Sequence, residues 1–248
     1  MPNNLSGIQN EIDLTDYINS KVIFDNYNVN IKKILTTVFE ADLSGKKVSS
    51  SRLTGQQKPD ISVTCNNVTK YISVKKGSGN SVHQEDFLEF VNFLYEIGIS
   101  PETIASLKLY HYGDDTIDNT GEMRFSSSEC KVRYASEIKL INAELNKNDN
   151  LKKILTRILF VGNIVEAIKT DYVYYGTVHD GIIASSDELY EYLLGRDFDS
   201  NNVHFASLTY QVWGRNNNFT AKYPERRYVM QVKWSQIQRD ISSIRGII

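Results

Sequence analysis

Residues 58–77 read KPDISVTCNNVTKYISVKKG, and this stretch decides how the rest of the chain is read. Ile61, Val63 and Cys65 alternate with polar residues, which is strand periodicity. Asn66-Asn67 supplies turn chemistry. Tyr71 to Lys75 resumes the extended pattern, so the stretch reads as a β-hairpin with strands near 61–65 and 69–76. Asp60 stands at the start of one strand and Lys75 near the end of its antiparallel partner, so the two side chains converge at one end. Side chains alternate across a strand. Ser73 and Lys75 therefore share a face, away from Ile72 and Val74, and Lys76 belongs opposite.

Working outward, residues 8–19 and 28–43 read as helices, the second with Val29, Ile31, Ile34, Leu35, Val38 and Phe39 at helical spacing and Glu40 near its end. The polar run 44–58 reads as a loop. Gly77-Ser78-Gly79 breaks the hairpin. Ser81 then suits an N-cap for a helix with Glu85 in its first turns and Phe87, Phe90, Val91, Leu94 and Ile97 as its stripe, ending at Gly98. Residues 112–130 read as a polar loop, 135–147 and 150–160 as helices, 171–177 and 182–183 as strands, and 187–194 as a short helix. Strands near 204–213 and 227–234 and a helix over 235–245 close the chain. With no repeat and no convincing linker, this is a single α/β domain, a central mixed β-sheet flanked by helices.

A carboxylate beside an ammonium suits metal-assisted phosphodiester hydrolysis. The carboxylate binds a hard divalent cation, the metal polarises phosphate and activates water, and the lysine stabilises developing charge. The order of a helix with Glu40, Pro59-Asp60, a turn, Ser73-Val74-Lys75, a Gly-rich break and a helix with Glu85 resembles the PD-(D/E)xK nuclease superfamily. That superfamily includes many type II restriction endonucleases. The departure is Ser73, where the usual pattern has Asp or Glu. The resemblance extends to an S-x-K variant in which the following helix supplies the missing carboxylate. Glu85 and Glu89 are the two candidates, and Glu85 is preferred as nearer the helix start. The resemblance implies catalytic Asp60, Lys75 and Glu85, metal ligation by Asp60, Glu85 and Glu40, and Mg²⁺ as cofactor with Mn²⁺ able to substitute. His83 or Gln84 could contact phosphate. The catalytic core would span about 28–110.

The chain of 248 residues carries 28 basic and 30 acidic residues, net −2, so a nucleic-acid site must come from local clustering. Such clustering exists: residues 205–248 hold seven basic and two acidic residues. Two strands there have an apolar face (Leu208, Tyr210, Val212; Tyr228, Met230, Val232, Trp234) and a polar one. The polar positions Gln211, Arg215, Arg227, Gln231 and Lys233 are candidate DNA contacts, because Gln and Arg can bond purine edges bidentately. A polar outer face is equally what any half-buried strand presents.

Two cysteines and four scattered histidines exclude a disulfide scaffold and a Cys/His zinc site. The chain has no nucleotide P-loop, GxSxG elbow, HExxH or dinucleotide fingerprint. It also shows no secretory signal and no membrane-length apolar run, which leads to the expectation of a cytoplasmic protein. The reading is therefore a Mg²⁺-dependent endonuclease cutting double-stranded DNA as a homodimer, a type II restriction enzyme. Its alternatives are an inactive DNA-binding module on the same fold and a non-specific repair or phage-defence nuclease.

Overall fold

The structure, a computed structural model, describes residues 5–78, 80–122, 124–214 and 224–247. Nine helices and nine strands follow one another among them. In chain order they are α1 (Leu5–Lys21), α2 (Val29–Phe39), β1 (Val48–Arg52), β2 (Ile61–Cys65), β3 (Val68–Lys75), β4 (Ser81–Asp86), α3 (Phe87–Glu96), α4 (Pro101–Tyr112) and α5 (Ser127–Arg133). Then come α6 (Ala135–Leu145), α7 (Asn148–Leu155), β5 (Tyr172–Gly176), β6 (Gly181–Ser185), α8 (Ser186–Leu194), β7 (His204–Phe205), β8 (Leu208–Val212), β9 (Val229–Lys233) and α9 (Ile237–Ile244). The chain divides into two compact units, the first drawn from Met1–Asn80, Leu159–Tyr192 and Ser235–Ile248, the second from Ser81–Ile158 and Leu193–Trp234.

The first unit is built on a five-stranded mixed sheet, order β1-β2-β3-β5-β6. The β2–β3 hairpin forms as its sequence implies. Ile61 pairs with Ile72 and Cys65 with Val68. Asn66 and Asn67 take left-handed φ values of 50° and 63°, the backbone a two-residue hairpin turn demands. Beside it β5 runs parallel to β3, with Ile72 opposite Tyr172 and Lys75 opposite Tyr175. Ile61, Val63, Ile72 and Val74 pack with Leu14 and Ile18 of α1 and Ile31, Leu35 and Val38 of α2 in one buried core.

Two local expectations fail here. The polar run 44–58 contains strand β1, paired with β2 from Val48 opposite Cys65 to Arg52 opposite Ile61. Its VSSSR sequence carries little strand signal, and its partners specify it instead. Asn19 of α1 both donates to the Ser50 carbonyl and accepts from the Ser50 amide at 2.9 Å, so a carboxamide occupies the outer edge of the sheet. Helix α2 also stops early. Glu40 is its left-handed C-cap at φ 50°, exposed to solvent.

The second unit holds a four-stranded antiparallel sheet, order β4-β9-β8-β7. Its inner face carries Tyr210, Met230 and Val232. The core continues through Phe87, Phe90 and Leu94 of α3, Ile104 and Leu107 of α4, and Ile141 of α6. His111 stacks on Phe87 at 3.6 Å and hydrogen-bonds the Tyr210 hydroxyl and the Arg227 carbonyl, which fills its ring nitrogens inside the core.

The largest local correction lies here. Residues 81–86 form strand β4, where the stripe that begins at Phe87 suggested helix from Ser81. The N-cap is Asp86, whose side chain accepts from the Leu88 and Glu89 amides. Upstream, alternating exposure in Ser81–Asp86 reflects pairing with β9, which the sequence does not announce. The 112–130 loop is likewise shorter. Helix α4 runs to Tyr112 before Gly113, and α5 opens with a capping box between Ser126 and Glu129. The two C-terminal strands do not extend the first sheet but join β4 in this second one.

Candidate active site

Asp60 directly precedes β2, and its amide bonds the Ile72 carbonyl across the hairpin. That tether fixes its side chain against the end of β3. Asp60 Oδ2 accepts from the Val74 amide at 2.6 Å, the Lys75 ammonium at 2.9 Å and the Ser73 hydroxyl at 3.0 Å. Lys75 Nζ also donates to the Val74 carbonyl at 3.2 Å. Three donors on one oxygen orient the carboxylate and leave Oδ1 without a partner among the described residues. The Asp60 and Lys75 side chains keep 22% and 20% of their surface, so solvent or a ligand reaches both. Strand alternation makes Ser73 and Lys75 neighbours on one face, and the hairpin register aims Asp60 at them.

A second carboxylate stands nearby that sequence reasoning passed over. Glu11 of α1 pairs with Arg52 at the end of β1, Oε2 to Nη2 at 3.1 Å. Burial raises the Glu11 pKa first, the Asp60 charge raises it further, and Arg52 and Lys75 pull it only partly back. A carboxylate pushed up by another carboxylate shares its electrostatic neighbourhood. Nothing in NEIDLTD marks Glu11 apart from an ordinary polar helix residue, and only the packing of α1 on the sheet brings it to Asp60.

Glu85 is placed differently. It lies on β4 in the second unit, its side chain fully buried. Arg157 grips it through Nε at 3.1 Å to both oxygens and Nη2 at 2.6 Å to Oε2, and His83 Nε2 meets Oε1 at 2.8 Å. The Arg157 guanidinium also lies 4.7 Å from the Phe93 ring. Burial pushes the Glu85 carboxyl up, yet the bonds from His83 and Arg157 outweigh it and leave the pKa lowered. Glu89 is exposed in the first turn of α3. Glu40 is exposed at the end of α2. Asp60 and Lys75 are thus brought together with Ser73, Glu11 lies within electrostatic range of them, and Glu85 is engaged in its own ion pair.

Of the candidate DNA contacts, Gln211, Gln231 and Lys233 share the outer face of the second sheet. Gln211 pairs with Gln231, and Thr209 with Lys233. Arg227 departs from expectation: it lies in a turn at Pro224–Tyr228 before β9, with its guanidinium on Asn119 Oδ1 at 2.8 Å. Arg215 falls outside the described residues.

Asp60 and Glu11 are hard oxygen ligands, each with one oxygen that no described residue engages. No three His, Cys, Asp or Glu side chains converge among the described residues. Among the described residues the Asp60 end of the hairpin therefore offers two carboxylates, a set that fits Mg²⁺, which binds through one or two carboxylates and keeps several waters.

A solved structure aligns along nearly the whole chain. It is the restriction endonuclease MspI in complex with its cognate DNA, at TM-score 0.51 and 15% identity, covering 94% of this chain and 93% of that one. The fold is restriction-endonuclease-like. No family model matches the chain, and no curated protein matches its sequence. No helix among the described residues is long and apolar enough to cross a membrane.

Proposed function

We propose that the chain is a divalent-metal-dependent endonuclease of double-stranded DNA, of the type II restriction kind and of the S-x-K variant. The observation that carries this reading is the Asp60 carboxylate. One oxygen is held by Val74, Lys75 and Ser73, and the other is open to a ligand. Asp60 and Glu11 would hold the cation. When bound, it supplies Lewis-acid polarisation of the scissile phosphate and a lowered pKa for water.

The remaining steps belong to the chain's own groups. Lys75, oriented by Asp60 Oδ2 and the Val74 carbonyl, donates a hydrogen bond to the attacking water or to a phosphate oxygen on which charge develops. Ser73 keeps Asp60 in place, with its hydroxyl in the position where the family pattern carries an acid. One such centre cuts one strand, so a double-strand cut calls for a two-fold homodimer. The outer face of the second sheet, with Gln211, Gln231 and Lys233, contacts the duplex, and the basic C-terminal segment supports that assignment.

The test is incubation of purified protein with plasmid and phage DNA, with Mg²⁺ or with EDTA, followed by end-sequencing. Mg²⁺-dependent cutting lost in Asp60→Ala and Lys75→Ala supports the reading. Retention of DNA without cutting at any Mg²⁺ concentration would assign the chain instead to a binding module on the nuclease fold, which Ser73 in the acidic position favours. Ends without a common sequence would make it a non-specific nuclease.

A further inference from the structure

The corrected register of β4 exposes a feature absent from the sequence reading. Gln84 pairs with Gln231, and Gln231 pairs with Gln211. Directly paired residues of an antiparallel sheet share a face. Three carboxamides therefore lie in one row across β4, β9 and β8, on the face opposite Tyr210, Met230 and Val232. Ser81 and Thr209, both paired with Lys233, form the next row. Resting on the endonuclease reading above, we infer that Gln84 and Gln211, flanking the buried Gln231, read base edges in the major groove of the DNA, and that Gln84 determines sequence specificity.

Three observations carry this. First, neither Gln84 nor Gln211 has a hydrogen-bond partner among the described residues, and both reach solvent at the sheet surface. Gln231 between them is buried and donates to the Ser81 hydroxyl at 2.8 Å, which fixes the middle of the row and leaves the two flanking carboxamides to face outward. A carboxamide presents a donor and an acceptor together, the pair that matches adenine N6 and N7. Second, the size fits. Neighbouring strands lie about 4.8 Å apart, so three side chains span roughly 10 Å, within a groove about 12 Å wide. Third, the charge fits a polyanion. Lys233 sits in the adjoining row, and Arg226 and Arg227 stand on the turn just before β9. The acid at the end of β4, Asp86, is engaged in capping α3.

The experiment measures base preference, not rate alone. Full-length wild type, Gln84→Leu and Gln211→Leu are each given a randomised duplex library, once with Mg²⁺ for cleavage and once with EDTA for retention. Expected is a defined site for wild type, with Gln84→Leu losing about tenfold or more discrimination at one base pair and Gln211→Leu at a different one. Melting temperatures should stay unchanged, since both side chains lie on the outer face. Replacing the purine at the Gln84 position by its 7-deaza form should weaken wild type and leave Gln84→Leu unaffected. Unaltered preference in both variants overturns the inference, as does a wild type that selects no sequence. Sequence-selective retention without cutting would sink the endonuclease reading and leave the Gln row supported.

Discussion

Asp60 and Glu85 are both carboxylates gripped by a cation, and they behave in opposite ways. In the first unit Asp60 uses one oxygen on Val74, Lys75 and Ser73, keeps the other open and retains part of its surface. In the second, Glu85 has both oxygens taken by Arg157 and His83 and no surface left. The neighbours differ as well. The Asp60 charge raises the pKa of Glu11, whereas the partners of Glu85 lower its own. A carboxylate stabilised to saturation is a structural anchor. Two carboxylates that repel each other are what a cation would relieve. On that difference rests the proposal that Asp60 and Glu11 serve chemistry and Glu85 architecture.

The largest expected effect breaks or makes that division. Asp60→Ala should lower cleavage by about 10³-fold, on the scale of losing a group that stabilises transition-state charge. Its unfolding transition should stay near that of wild type, read by circular dichroism. Glu85→Ala should do the reverse. Leaving the half-buried Arg157 without its partner costs up to about 3–5 kcal/mol, a fall in Tm of up to roughly 6–20 °C for a chain of this size. If Glu85→Ala instead melts with wild type and no longer cuts, Glu85 is the displaced metal ligand after all.

Glu11→Gln sharpens the comparison. It should cut at least about tenfold more slowly and need more Mg²⁺ for half-maximal rate, consistent with a lost ligand. Its stability at pH 7 should be unchanged or slightly higher, because a raised pKa means the charged form is worse off folded than unfolded. A clear loss of stability would make the Arg52 pair structural instead.

The smallest effect is in the pH dependence of stability. The Glu85 pKa is lowered in the fold, so its contribution is complete above the unfolded value near 4.5 and is lost as pH falls through the folded one. The stability gap between wild type and Glu85→Gln, from urea titrations at pH 6 down to 3, should therefore narrow with acid. A gap independent of pH would mean that Glu85 contributes packing and not charge.

Much of this was legible in the chain. The hairpin, its Asn-Asn turn and the choice of Lys75 over Lys76 follow from period-two alternation, and Ser73 and Lys75 do meet Asp60. The inward and outward faces of β8 were equally readable, because burial of one face writes itself into the sequence, whereas in β9 Gln231 of the polar face is buried as well. What could not be read was the role of 81–86. A strand of SVHQED has no repeating apolar code, and the strong stripe after Phe87 drew the helix too far upstream.

Local pattern thus determined the elements that are amphipathic by themselves: the hairpin, α2, the stripe of α3, and the pair Asp60–Lys75 that a single turn brings together. Tertiary structure alone decided which distant groups became neighbours. Glu11 comes within electrostatic range of Asp60 because α1 packs on the sheet, Glu85 is claimed by Arg157 72 residues away, and Gln84 joins Gln231 because β4 pairs with β9. The reason is that side-chain periodicity records burial within a segment, while charge pairing and strand partnership depend on contacts between segments that no local pattern encodes.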